Sequence, residues 1–381
     1  MRVGVIRERY TPYGGAEVFM GRFVDEILRL GHTVDLFAAS WPEKEGVAVH
    51  RVKTWGPSFL RPLVFANNAA KAVERVCPDV VISFDRTACQ DIYRAGDGVH
   101  REWLLRRKRA ATGLKGLFTG LNPLHAVLLH LEKRLFSDKR LKKVVANSKR
   151  VKEEIIRHYG LPEEKICVIY NGINAKEFAG RVAAVDRGCV RKEMGVSSDE
   201  CLLLFVGSGF ERKGLIYLIR ALKPLMDAQG HTDKKTRLVV VGKGKQGRYL
   251  KEARRLGVED AVIFKGAVKD AAPFYAAADV FVLPTVYEPF SNASLEAMAA
   301  GVPVVTSRVN GVSEIITEPA NGAVVEDPAD HQEIAGKVSL FLDEKKRKKA
   351  GDAARQTAMK YTIEKNVREF LSLVIRTWKN T

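Results

Sequence analysis

Two glutamates with seven residues between them, Glu288 and Glu296 in Tyr-Glu-Pro-Phe-Ser-Asn-Ala-Ser-Leu-Glu, stand on either side of an expected helix start. Pro289 and Ser291 or Asn292 suit that start. The backbone amides around Ser291, Asn292 and Ala293 then offer the positive end of a helix dipole to an anion. Glu296, about one turn further in, can accept two hydrogen bonds from a vicinal diol such as a ribose, and Glu288 can reach sugar hydroxyls from the preceding loop. Plainer roles exist for both: Glu296 favours an early helical turn through the dipole, and Glu288 is simply solvated. A hydrolytic acid and base pair fits poorly. Eight residues of continuous helix span about 12 Å, against roughly 5 to 9.5 Å in glycoside hydrolysis.

A second loop, Phe-Val-Gly-Ser-Gly-Phe-Glu-Arg-Lys-Gly over residues 205–214, ends a strand signal. Gly207 and Gly209 permit close approach, and Arg212 and Lys213 stand before a helix, a combination suited to a pyrophosphate. It has neither the spacing of a Walker loop nor that of a dinucleotide fingerprint. Gly14 and Gly15, between the first strand and the first helix, allow backbone amides to approach an anion. A tight turn needing positive φ explains them equally well.

The elements that must position these loops alternate along the chain. Strand signals at 3–6, 33–38, 79–83, 144–146 and 166–170 alternate with helical periodicity at 16–30 and 149–159, which argues for parallel strands with crossover helices. A polar stretch over 171–200 with weak apolar periodicity reads as a linker. A second series follows, with strands at 202–206, 237–241, 262–265, 280–284 and 302–306 and helices at 215–226, 249–256 and 293–300. The expected fold is α/β, two Rossmann-like doubly wound domains facing across a cleft, with ligands at the carboxyl ends of the strands. The first domain covers 1–170 and the second 201–359, while a final helix near 360–381 packs on the second or returns to the first.

A chain of 381 residues exceeds what one core supports, and its 46% hydrophobic and 28% charged content is that of a soluble globular protein. Cys77, Cys89, Cys167, Cys189 and Cys201 lack paired short spacings, so they read as buried thiols in a reducing compartment. With no leader-like segment and no long apolar run, the expected location is cytoplasmic. The net charge of +18 is concentrated: residues 101–150 hold fourteen Lys/Arg against three Asp/Glu. Trp103, Leu104, Leu117 and Phe118 amid these cations over 101–136 fit an amphipathic element at an anionic membrane surface, or else a lid or core helix with a solvated basic face. Nucleic acid is a weaker fit, because the segment lacks a recognisable nucleic-acid motif and interleaved aromatics.

Taken together, Glu288-x7-Glu296, Arg212-Lys213-Gly, Gly14-Gly15 and Asn171-Gly172 resemble the retaining glycosyltransferases of family 4, with the GT-B fold. The segment 83–98 is similar to the lipopolysaccharide core glucosyltransferases that add an α-1,3-linked glucose to a heptose. The resemblance implies a nucleotide-sugar donor, UDP-glucose in that subfamily, a phosphorylated glycolipid acceptor, no cofactor or metal, and a place on the inner face of the cytoplasmic membrane. It assigns Glu296 to the ribose diol, Arg212 and Lys213 to the diphosphate, and Glu288 to the donor sugar with the amides of Phe290 and Ser291 nearby. Gly15 approaches the donor from the first domain, Gly242 and Val268 lie in loops around the nucleoside, and Asp97 faces the reacting hydroxyl. Two positions depart from the family: Ser291 stands where many members have glycine, and Asn174 replaces an aspartate. The competing functions are a basic nucleic-acid-binding protein and a nucleotide-sugar epimerase on the same architecture.

Overall fold

Short aliphatic runs that are apolar on both faces form strands covered by helices on either side. In a computed structural model describing residues 1–9, 15–110, 122–229 and 235–380, the first seven are β1 (Arg2–Ile6), β2 (Thr33–Ala38), β3 (Val47–Arg51), β4 (Val80–Ser83), β5 (Ile92–Ala95), β6 (Lys143–Ala146) and β7 (Ile166–Val168). They pair in the order β3-β2-β1-β4-β5-β6-β7, all parallel. Six more, β8 (Cys201–Val206), β9 (Thr236–Val241), β10 (Val262–Gly266), β11 (Val280–Leu283), β12 (Val304–Ser307) and β13 (Gly322–Val325), pair in the order β10-β9-β8-β11-β12-β13, again all parallel. Each sheet reverses its strand order beside its first strand, so each has a switch point at the carboxyl ends, between β1 and β4 and between β8 and β11.

The chain divides into two compact units, Met1–Asn171 with Ile363–Thr381, and Gly172–Thr362. The last helix, Ile363–Lys379, completes the first unit by burying Ile363, Val367, Phe370, Leu371 and Val374 in one core with Phe19, Phe23 and Phe84. The Phe370 ring meets Phe23 edge-on at 4.9 Å between centroids.

Residues 171–200, expected as a linker, instead carry the helices Ala175–Ala183 and Arg187–Glu193 within the second unit. Their anchor is ionic: Arg191, 4% exposed, bonds Asp279, Ala277 O, Ser197 O and Glu200 O. Arg187 also pairs with Asp279 at 2.7 Å. A segment fixed by a buried guanidinium group and its ion pairs has little apolar periodicity to detect. Similarly, β5 reads Ile-Tyr-Arg-Ala, and its Arg94 is buried against the Phe19 ring at 4.2 Å while donating to Asn171 Oδ1 at 2.9 Å. The expectation of five buried thiols is corrected: Cys89 and Cys201 are buried, but Cys77 and Cys189 are exposed and Cys167 is half-buried. Cys77 closes the helix Arg61–Val76 in the left-handed conformation, and Cys189 lies in the first turn of Arg187–Glu193, both solvent-facing places.

Candidate functional site

The turn after β8 is shaped by glycines in the left-handed conformation. Gly209 and Gly214 hold φ of 72° and 77°, and a Cβ on Gly214 would lie 1.8 Å from the carbonyl oxygen of Pro284. This contact brings the turn after β8 against the turn after β11, on the two sides of the switch point. Gly242, φ 145°, does the same for the turn after β9, since its Cβ would sit 2.2 Å from Gly207 O. Val268 lies half-buried just beyond β10.

Backbone and side-chain bonds then lock the two turns together. The Arg212 carbonyl accepts from Val286 N–H and from Thr285 Oγ1, both at 2.8 Å, while the Arg212 guanidinium donates to Tyr287 O at 3.3 Å. Arg212 and Lys213 converge on one carboxylate, Glu288: Arg212 Nη1 lies 3.1 Å from Oε2, and Lys213 Nζ donates to the same oxygen. Lys213 and Glu288 are each only 8% exposed. The Glu288 backbone is itself held, its carbonyl accepting from Gly311 N–H at 2.9 Å. The cations expected on a diphosphate and the glutamate expected on a sugar therefore form one cluster with a residual positive charge. Buried charges in such a group depend on each other, because removing one leaves the others uncompensated.

Ser291 caps the helix Asn292–Ala299, its Oγ accepting from Ser294 N–H at 3.2 Å. The positive end of that helix dipole thus lies beside the cluster in the chain. Pro289 precedes the cap and stays outside the first turn. Glu296, fifth residue of the helix, is half-buried. Tyr275 lies under it, with its hydroxyl 3.1 Å from Glu296 Oε2 and 3.0 Å from Ala293 O. Burial pushes the Glu296 carboxyl up to about 7, a rise the Tyr275 hydrogen bond and the Arg181 charge partly oppose. Tyr275 escaped sequence reasoning because its ring reads as core, and its ring is core; only its hydroxyl belongs to the site.

In the first unit Asp97 is exposed, in the turn after β5. Its charge acts on Arg86 and Arg94, and burial brings Arg94 down to about 10. Arg86 donates to Gly98 O at 3.2 Å and to Glu132 at 3.1 Å. Glu132, 1% exposed, also accepts from the backbone N–H of His100 and Arg101 and from Tyr159 Oη, at 2.8, 3.1 and 2.6 Å. It thereby caps the helix His100–Ala110 from a distance. Sequence reasoning missed Glu132, although a lone acid in the apolar run from Leu124 to Phe136 was a signal. Gly15 opens the helix Gly15–Arg29, whereas Gly14 lies outside the described residues. Within 101–136, Trp103 is half-buried under Arg107, 5.0 Å from its ring, and Leu105 is 42% exposed. Leu117 and Phe118 fall outside the described residues.

Residues 200–344 match the model for glycosyl transferases group 1, and residues 13–177 match that for glycosyltransferase family 4. The uncharacterised glycosyltransferase MJ1607 of Methanocaldococcus jannaschii is 33% identical over 360 residues, 90% of each chain. The lipopolysaccharide glucosyltransferase WaaG of Escherichia coli is 25% identical over 336 residues, 86% of this chain and 85% of its own. Among solved structures, WaaG superposes with a TM-score of 0.81 at 23% identity, covering 98% of this chain and 99% of its own. Anabaena HepE in complex with UDP-glucose superposes at 0.71 and 20% identity, covering 98% and 99%; at these identities the likeness is one of fold. Two parallel-sheet units, the paired family models and a relative matched over nine-tenths of its length make the chain a member of glycosyltransferase family 4, with the GT-B fold.

Proposed function

We propose that the chain transfers a hexose, glucose in the first instance, from a UDP-sugar to a lipopolysaccharide core or related phosphorylated glycolipid, retaining the donor's anomeric configuration and using no metal. The observation that carries this reading is the convergence of Arg212 and Lys213 on Glu288 just before the helix start at Ser291, with Glu296 one turn on. The relatives support it: WaaG is named a lipopolysaccharide glucosyltransferase, and HepE is described with UDP-glucose.

In this reading Glu296 takes the ribose diol as an ionised carboxylate. Arg212, Lys213 and the dipole of the helix after Ser291 balance the charge that grows on the departing diphosphate. Glu288 keeps both cations in place and faces the sugar. Because its charge is already committed to Arg212 and Lys213, Glu288 is a poor nucleophile. That favours a path in which a leaving phosphate oxygen takes the acceptor's proton as the new bond forms on the same face. Asp97, exposed beside Arg86 and Arg94, orients the acceptor hydroxyl. The basic helix His100–Ala110 attracts the phosphates of the acceptor and of an anionic membrane; among the described residues no helix is long and apolar enough to cross one.

The test is a screen of UDP-glucose and related donors with lipopolysaccharide core acceptors, following UDP release and the configuration of the product. Acceptor-dependent UDP release is expected. No binding or turnover of any nucleotide sugar would overturn the reading.

A further inference from the structure

Tyr275 lies on the short helix Ala272–Ala277 and is 1% exposed. Its ring stacks on Phe281 with centroids 5.9 Å apart and meets Phe178 edge-on at 5.3 Å, so the hydroxyl has one available position. From there it reaches two acceptors in the helix Asn292–Ala299, the Ala293 carbonyl at 3.0 Å and Glu296 Oε2 at 3.1 Å. A phenol carries one proton and cannot donate to both. The one phenol proton favours an ionised Glu296 when it is given to Oε2, but it is shared with Ala293 O, so the carboxylate is only partly satisfied until it carries a proton of its own. When Glu296 is ionised, Tyr275 must choose between the carboxylate and the carbonyl.

We propose that Tyr275 is a positioning residue for the ribose-binding carboxylate Glu296, and that the Tyr275–Glu296 pair holds a proton which nucleotide binding displaces to solvent. The inference rests on the proposed role of Glu296. A ribose diol brings two O–H donors to the carboxylate, so the bound state favours the ionised form that the free site disfavours. The charged groups facing Glu296 oppose each other. Arg181, on the helix Ala175–Ala183, favours ionisation, and Asp270, before the helix Ala272–Ala277, opposes it. These two pair with each other at 3.4 Å. Arg355, on the helix Glu344–Ala358 packed against the same helix, bonds the Ala300 carbonyl at the opposite end. Proton occupancy is therefore governed by burial and by Tyr275. Burial places the Glu296 titration near neutrality, at about 7.

The experiment is calorimetric titration of the full chain with UDP, in buffers of different ionisation enthalpy across pH 6 to 9. At pH 7 the wild type should release about half a proton more per UDP than Glu296→Gln, the fraction expected for a group titrating there. Tyr275→Phe removes the bond that favours ionisation and keeps the stacked ring. For a further upward shift of about one unit, it should bind UDP roughly fivefold more weakly than wild type at pH 7 and within twofold at pH 9. A purely structural loss would weaken binding equally at every pH and overturn the proposal. Equal proton release by the wild type and Glu296→Gln would overturn it too, while leaving the nucleotide-sugar reading intact. Absence of UDP and UDP-glucose binding by the wild type would instead remove that reading, and this inference with it.

Discussion

Gly214 and Pro284 approach so closely that a Cβ on the glycine would stand 1.8 Å from the proline carbonyl oxygen. With φ at 77°, position 214 is closed to side chains by both conformation and space. Gly214→Ala should destabilise the protein by roughly 2 to 4 kcal/mol, the range of backbone strain plus overpacking. The displaced turn should lower donor affinity as well. Urea unfolding and UDP titration on the same preparation check both, and an unperturbed variant would show that the two turns are not rigidly coupled.

The cluster of Arg212, Lys213 and Glu288 should respond unequally to its two sides. Lys213→Met takes from Glu288 its buried lysine and removes a charge from the proposed diphosphate site, so kcat should fall about 100-fold or more. Glu288→Gln leaves two cations facing a neutral amide. UDP, with its extra negative charge, should then bind as tightly as before or more tightly, while sugar transfer falls. Measuring Kd for UDP alongside kcat separates these outcomes.

Affinity and turnover should part along the chain in the same way. Glu296→Ala removes the proposed ribose contact and should weaken UDP binding by roughly 10- to 100-fold, the worth of one or two charge-assisted hydrogen bonds. Asp97→Ala should leave UDP affinity unchanged and lower kcat with acceptor. Titration calorimetry on both variants, followed by steady-state kinetics, checks the division.

Glu296 also makes a prediction about folding. Its carboxyl titrates near 7 in the folded protein and near 4.5 in a model peptide. The folded state thus holds the proton more tightly, and this contribution is fully present below about pH 4.5 and lost as pH rises through about 7. Glu296→Gln, which cannot ionise, should therefore gain on the wild type between those limits, by at most about 3 kcal/mol at pH 8. Urea melts of both proteins at pH 4.5 and pH 8 measure the difference.

Ser291 separates capping from chemistry. Ser291→Ala deletes the bond to Ser294 N–H and should cost about 1 kcal/mol of stability, whereas Ser291→Gly should cost only a few tenths. If Ser291→Gly alters turnover without altering the melting midpoint, the hydroxyl acts on the donor and not only on the helix.

What could be read beforehand depended on how each part is built. The strands around Val3, Leu203 and Val282 were legible because sheet interiors require aliphatic runs. The helix start at Ser291 was legible because capping uses few residue types. The ionic constructions were hidden. Arg94 in β5, Arg191 beside Asp279, and Glu132 at the start of a distant helix each satisfy partners far away in sequence, and nothing local announces them. Tyr275 was hidden for the opposite reason, since a core ring and a site hydroxyl share one side chain. The pairing of Glu288 with both cations was invisible because it needs the turns after β8 and β11 side by side.

The first unit draws its final helix from residues 363–379, after the whole second unit has been spelled out. Phe19, Phe23 and Phe84 find Phe370 only once residues 363–379 have been made. During synthesis the second unit, continuous in the chain, has all its parts first. The apolar face of the first unit that this helix covers stays open until residues 363–379 have been made.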